Sequence, residues 1–363
     1  MAAKKKPQQS KAQALAAEVN KMLGTDAVRM GNDPMFQTRV IPTGVLPIDV
    51  MFNGGLPRNR ITEFYGGWST LKSFIGLCSI AQCQAAGGVA VLIDTEHSYD
   101  EVWGRQLGVD TDALLLPTIK SAEEACDVTE SLIINGVDLV VWDSVAATMP
   151  QDEAKKRMGK ENIQPGRQAA FMSAALRRIN SINEQTAIVF INQTREKIGV
   201  MWGSPETTPG GRALPFYASY RVGMRKGSSV KEDIETFDGR EKKKVPRIVS
   251  QQVRATLEKS KLSAPGREFL FTWDVATASI DNAGFLMGCG LEQGWIKQSG
   301  PSWSYGNQKF SGKEAFKQWI NDNPTVMEAM KRQAMSSSDP DGTHVPVRNK
   351  AAAQRKPLRL KRG

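Results

Sequence analysis

From about residue 60 the chain repeats one pattern: an apolar strand, a turn and an amphipathic helix. RITEFY leads through GGWSTLKS into SFIGLCSIAQCQAAG. The strands VAVLID, VDLVVWD and TAIVFINQ follow, parted by the helical stretches SAEEACDVTESLIIN and GRQAAFMSAALRRINSIN. Strands that are apolar almost throughout must be covered on both faces, so the pattern predicts an α/β domain around a largely parallel central sheet. In such sheets ligands bind at the carboxyl ends of the strands. The residues that fit neither strand nor helix fall at those ends.

The flanks read differently. QSKAQALAAEVNKMLG spaces its apolar residues at helical intervals and stops at Gly24, which predicts a helical arm over residues 1–36, ahead of the strand-like FQTRVIPTGV. Past residue 215, YASYRVGMR, RIVSQQVRATLEK and REFLFTWD predict strands that extend the sheet, parted by polar linkers, and close a core domain at 37–274. FLMGCGLEQGWI, a Gly/Ser-rich turn and GKEAFKQWINDNPTVMEAMKRQ predict a small α/β lobe over 275–335. Trp295, Trp303 and Trp319 are expected in its core. The remaining stretch, 336–363, turns to Ser, Asp, Pro and Gly and then to basic residues. It cannot build a core and is expected to be a disordered basic tail.

Several classes are excluded. No run of 18 apolar residues exists, which removes a membrane span, and the basic start lacks the apolar section of a signal peptide, so the expected location is the cytoplasm. Cys78, Cys83, Cys126 and Cys289 have no C-x-x-C spacing and the histidines are His97 and His344, so neither a zinc site nor a disulfide framework has support. A net charge of +10 permits attraction to a polyanion without requiring it.

The first turn of the pattern, GGWSTLKS, matches G-x-x-x-x-G-K-[ST] except that Leu71 stands where the second glycine belongs. In such a loop backbone N–H groups hold phosphates, Lys72 clamps the outer ones and Ser73 reaches Mg²⁺. By itself the stretch fits an ordinary Gly-rich strand-to-helix turn equally well. Asp143 at the tip of VDLVVWD suits the carboxylate that orients magnesium, and Asp94 or Glu96 at the tip of VAVLID could activate an attacking water. Leucine is expected to be tolerated because position 71 would already lie in the helical first turn, at a cost in crowding rather than in dihedral angle.

The order EFYGGWSTLKS, LIDTEHSYD, VDLVVWDSVAA and FINQTREKIGVMWGSPETTPGGRALPFYAS resembles the RecA family of homologous-recombination strand-exchange ATPases over residues 10–330. The resemblance implies a RecA-like P-loop NTPase core, with ATP and Mg²⁺ as cofactors and a homo-oligomeric helical filament on single-stranded DNA. It further implies pairing with homologous duplex DNA, with a single-strand-binding protein as a further partner. By the same resemblance, Gly66, Gly67, Trp68, Ser69, Thr70, Leu71, Lys72, Ser73 and Phe74 form the nucleotide loop, with Asp100 and Trp103 at the adenine. Ser73 and Asp143 would serve the metal, Glu96 the water, and Gln193 would sense the γ-phosphate. Lys259 and Lys261 would reach a neighbouring subunit's ATP, and the amino-terminal arm would polymerise the chain. Leu71, Pro215 and the basic rather than acidic tail depart from the bacterial pattern, and Leu71 suits a phage-encoded member acting in its host's cytoplasm.

Two loops carry the expected DNA contacts. The first presents Lys155, Lys156, Arg157, Met158 and Lys160, with Arg167 after it; the second presents Arg195, Lys197, Ile198, Met201 and Trp202 before Gly210 and Gly211. Cations interleaved with insertable apolar side chains can hold a strand by its backbone while parting its bases. The first loop fits a plain solvated segment as well. Two other functions share these motifs: a filament-forming regulator that binds ATP and hydrolyses it poorly, and a ring-forming helicase.

Overall fold

The computed structural model describes residues 10–147, 167–196, 206–237 and 242–336. The chain divides into two compact units, residues 1–39 and 40–363.

In the first unit the expected helix runs over Lys11–Leu23. Ser10 and Gln13 form a reciprocal capping box, and Gly24, at φ 65°, closes the other end by donating to the Asn20 carbonyl. The Asn20 amide also bridges both backbone groups of Val28, each at 2.8 Å. Met22 is 80% exposed and Leu15 62%, so this helix presents an apolar stripe to solvent.

In the second unit, β1 (Val40–Ile41) pairs antiparallel with β2 (Leu56–Pro57). Within FQTRVIPTGV only Val40–Ile41 is a strand; Phe36, its first residue, ends the 3-10 turn Pro34–Phe36 of the first unit. The main sheet contains β3 (Ile61–Gly66), β4 (Ala90–Asp94), β5 (Leu139–Asp143) and β6 (Ala187–Gln193). After a short antiparallel pair, β7 (Arg195–Glu196) with β8 (Glu206–Thr207), the sheet resumes with β9 (Tyr220–Phe237), β10 (Lys242–Ser260), β11 (Glu268–Asp274) and β12 (Ser279–Ile280). Its order is β12-β11-β10-β9-β3-β6-β5-β4. The five strands from β9 to β4 are parallel and the other three antiparallel. Helices Lys72–Ala85, Ala122–Ile134 and Arg167–Ile182 supply the crossovers. Two hydrophobic clusters, one holding Ile75, Val141 and Val222 and the other Val140, Trp142 and Leu176, account for the almost unbroken apolar strands.

β9 and β10 are longer than the sequence suggests. KGSSVKEDIETF, read as a linker, continues β9, pairing out to Phe237 against Lys242. β3 pairs with β9 only as far as Met224 and β11 with β10 only as far as Ser250, which faces Val230, so beyond Val230 β9 and β10 form a ribbon that projects past the carboxyl edge of β3.

The three-stranded sheet β13 (Ile296–Ser299), β14 (Ser302–Tyr305) and β15 (Gln308–Ser311) packs with helices Asn282–Glu292, Lys313–Asp322 and Pro324–Ser336. Trp303 is buried on Phe316, while Trp295 and Trp319 are partly buried in the same cluster. The tail from residue 337 lies outside the described residues.

Candidate active site

Parallel register places the unusual strand-end residues side by side: Gly66 opposite Gln193, and Asp94 opposite Asp143. Gly66 has φ 156°, and a Cβ there would meet the Met224 carbonyl oxygen at 2.1 Å, so only glycine lets β3 pass β9 and turn. Gly67, Trp68 and Ser69 are exposed, and Thr70 and Leu71 are buried. The helix starts at Lys72, so Lys72 and Ser73 stand in its first turn as expected and Phe74 packs inward.

Leu71 does not have helical angles. It is the residue before the helix, at φ 67° and ψ 18°, in the left-handed region where the usual glycine would be unstrained. The loop must reverse direction over Ser69 to Leu71 to aim the helix, and Ser69 is left-handed too, at φ 53°. Burial of the Leu71 side chain, only 9% exposed in the main core, offsets the strain.

The Lys72 ammonium donates to the Gly67 carbonyl at 2.7 Å and to Gly66 O and Thr70 Oγ1 at 3.2 Å each. Burial lowers its pKa, against the pull of Asp143 and Glu96. Asp143 is buried, and its carboxyl is pushed up to about 6, by burial first, against the hydrogen bond from Ser73. The Ser73 side chain thus lies beside the Asp143 carboxyl. Glu96 is exposed at the tip of β4, and its Oε1 accepts from Gln193 Nε2 at 2.5 Å and from Ser144 Oγ. Thr95 fixes this corner: its N–H donates to Asp143 O at 2.8 Å, and its hydroxyl exchanges hydrogen bonds with the Ser144 backbone. Asp94 Oδ1 is buried with no hydrogen-bond partner.

Farther out, Asp100 caps the helix Glu101–Gln106 by accepting from the Trp103 N–H at 2.7 Å, which fixes the two expected adenine residues relative to one another. His97 is exposed, at φ 53°. Lys259 Nζ lies on the Pro215 and Phe216 carbonyls, at 2.5 and 2.8 Å, and Lys261 Nζ on the Tyr217 carbonyl at 3.2 Å. Both ammoniums thus cap the short helix Ala213–Tyr217, whose Phe216 is 71% exposed.

Of the expected DNA contacts, Lys155, Lys156, Arg157, Met158 and Lys160, and Lys197, Ile198, Met201 and Trp202, lie outside the described residues. For Arg167 and Arg195 only the backbone is described: the first opens its helix and the second lies in β7. Gly210 and Gly211 are left-handed, at φ 88° and 73°, and a Cβ on Gly211 would come within 2.7 Å of Ala169 Cβ. Sequence reading missed the β7–β8 pair at the base of the second loop. It also missed the contact of Ser144 with Glu96 and the buried group Glu63, Asn192 and Arg221 below the loop. Their partners are distant in sequence, and no local pattern signals them.

The family model described as the RecA N-terminal domain matches residues 10–270. Protein RecA of Salinispora arenicola is 40% identical over 326 residues, 88% of this chain and 89% of that protein. Protein RecA of Nocardia farcinica is 41% identical over 324 residues, 87% and 89% of the two chains. For Protein RecA of Mycolicibacterium gilvum the values are 40% over 332 residues, 89% and 90%.

Proposed function

The chain belongs to the RecA family, and on that premise we propose which residues carry out its ATP-dependent DNA strand exchange. It is a recombinase and ATPase that uses ATP and Mg²⁺ and assembles as a filament on single-stranded DNA, where it takes up duplex DNA.

The observation that carries the residue assignment is the convergence of Lys72, the Glu96–Gln193 hydrogen bond and the buried Asp143 at the ends of four adjacent strands. Phosphates bind at the amino end of the helix Lys72–Ala85, where backbone N–H groups and the dipole favour anions. Lys72 exchanges its loop carbonyls for phosphate oxygens. Ser73 and Asp143, two hard oxygen donors side by side, suit Mg²⁺; the ion would supply neutralisation of charge on the outer phosphates. Glu96 takes the proton of the attacking water, and Gln193, already bonded to it, senses the γ-phosphate. Asp100 and Trp103 hold the adenine, the indole by its face. Lys259 and Lys261 act on the nucleotide of the neighbouring subunit. The two loops and the cations assigned to them hold DNA by its backbone.

The arm containing the helix Lys11–Leu23 supplies the head-to-tail contact, its exposed Leu15 and Met22 being apolar surface for a second copy. Such a heterologous contact does not close and gives an open filament. The protein works on DNA in the cytoplasm, that of the host for a phage-encoded member, with a single-strand-binding protein as a further partner.

ATP turnover measured with and without single-stranded DNA, with imaging of the same mixture, tests this reading. DNA-stimulated turnover with continuous helical filaments supports it. Filaments without turnover would favour a regulator, for which the left-handed Leu71 is the specific structural reason, and closed rings would favour a helicase.

A further inference from the structure

Glu63 lies in the middle of β3 with no solvent exposure, and burial pushes its carboxyl up against the pull of Arg221. A buried carboxylate persists only where its partners are well placed. Arg221 Nε donates to Oε2 at 2.7 Å, and Asn192 Nδ2 donates to Oε1 at 3.1 Å.

Both partners reach further. The Arg221 guanidinium covers the Tyr65 ring at 3.9 Å and bonds Glu258 Oε2 at 3.2 Å and Thr208 Oγ1 at 3.4 Å. The Asn192 amide also donates to the Pro209 carbonyl at 3.1 Å, while its Oδ1 accepts the Gln193 N–H at 3.0 Å. The start of the second loop is held separately, by the Thr194 N–H on the Gly66 carbonyl at 3.3 Å. Both ends of that loop are thereby tied to β3, the strand that delivers the phosphate loop.

We propose that Asn192 and Arg221, anchored on Glu63, are positioning residues that set the DNA affinity of the second loop according to the state of the phosphate loop. Neither touches the reacting atoms. Because the Glu63 carboxylate has no water to turn to, a shift at the end of β3 is followed by its two partners, and Thr208 and Pro209 move with them. The proposal rests on the reading of the second loop as a DNA contact.

The test uses the full chain and two variants, Asn192→Ala and the shape-conserving Thr208→Val. Binding of a labelled oligothymidine is titrated in ADP and in a slowly hydrolysed ATP analogue, and the ratio of the two affinities measures the coupling. Nucleotide affinity without DNA should stay within about two-fold of wild type, because neither residue meets the nucleotide. The coupling ratio should fall about ten-fold in Asn192→Ala and about three-fold in Thr208→Val. An unchanged ratio, or a parallel loss of nucleotide affinity, overturns the proposal. Should Asn192→Ala fail to fold, the ratio in Thr208→Val decides alone. A wild-type protein whose DNA affinity ignores the nucleotide would instead overturn the reading of the loop.

Discussion

Gln193 Nε2 and Glu96 Oε1 meet at 2.5 Å across the ends of β6 and β4, two strands that are not neighbours in the sheet. β5 lies between them, and Ser144, the residue after it, donates to the same carboxylate oxygen. The group assigned to the attacking water is thus held by the residue assigned to read the γ-phosphate. Glu96→Gln keeps an acceptor for both partners and removes the base. Its kcat should fall roughly 10²- to 10⁴-fold, with ATP and DNA affinity retained in equilibrium titrations; a normal kcat would remove Glu96 from the mechanism.

Leu71 combines a left-handed backbone with a buried side chain, and substitutions separate the two effects. Leu71→Ala loses packing and should cost about 2 kcal/mol or more. Leu71→Gly loses the same packing but relieves the backbone, so it should be more stable than the alanine variant by about 1 kcal/mol. Urea denaturation of both variants measures the difference. An alanine variant as stable as the glycine variant would mean that the loop carries no strain at this position.

Asp49 gives the fold a pH dependence. It accepts from the Thr43 N–H and hydroxyl at 2.6 and 2.7 Å, and burial raises its pKa to about 6 from an ordinary 3.8. Between those values the folded chain binds the extra proton. The stability from this group is therefore full below pH 3.8 and is lost as pH rises through 6. Asp49→Asn keeps the acceptor and cannot ionise, so its melting temperature relative to wild type should be higher at pH 7.5 than at pH 5. A difference independent of pH would show that Asp49 does not titrate there.

Phe216 is exposed although two lysines hold its helix in place. Phe216→Ala should leave the stability of the dispersed chain within about 0.5 kcal/mol while reducing filament length on single-stranded DNA in electron micrographs. Wild-type filaments would show that this ring is not a subunit contact.

The strands RITEFY, VAVLID, VDLVVWD and TAIVFINQ were legible because burial on both faces demands an unbroken apolar run. The strand-end positions of Lys72, Glu96, Asp143 and Gln193 came with them. The β9–β10 ribbon was not legible: residues 226–233 of KGSSVKEDIETF are exposed, so the stretch carries the composition of a linker while having the hydrogen bonds of a strand. Leu71 misled for another reason, since its angles are imposed by the turn the loop must make, not by its own helical preference. Glu63 read as one more strand residue; its partner Arg221 is 158 positions away, and only the folded sheet brings the pair together.

The most direct test of the account is a strand-exchange assay between circular single-stranded DNA and linear duplex, with wild type and Lys72→Ala compared in ATP and Mg²⁺. The account predicts joint molecules and exchanged product from homologous duplex with wild type, none from heterologous duplex, and none with Lys72→Ala. Absence of product with wild type, or equal product with Lys72→Ala, would contradict it.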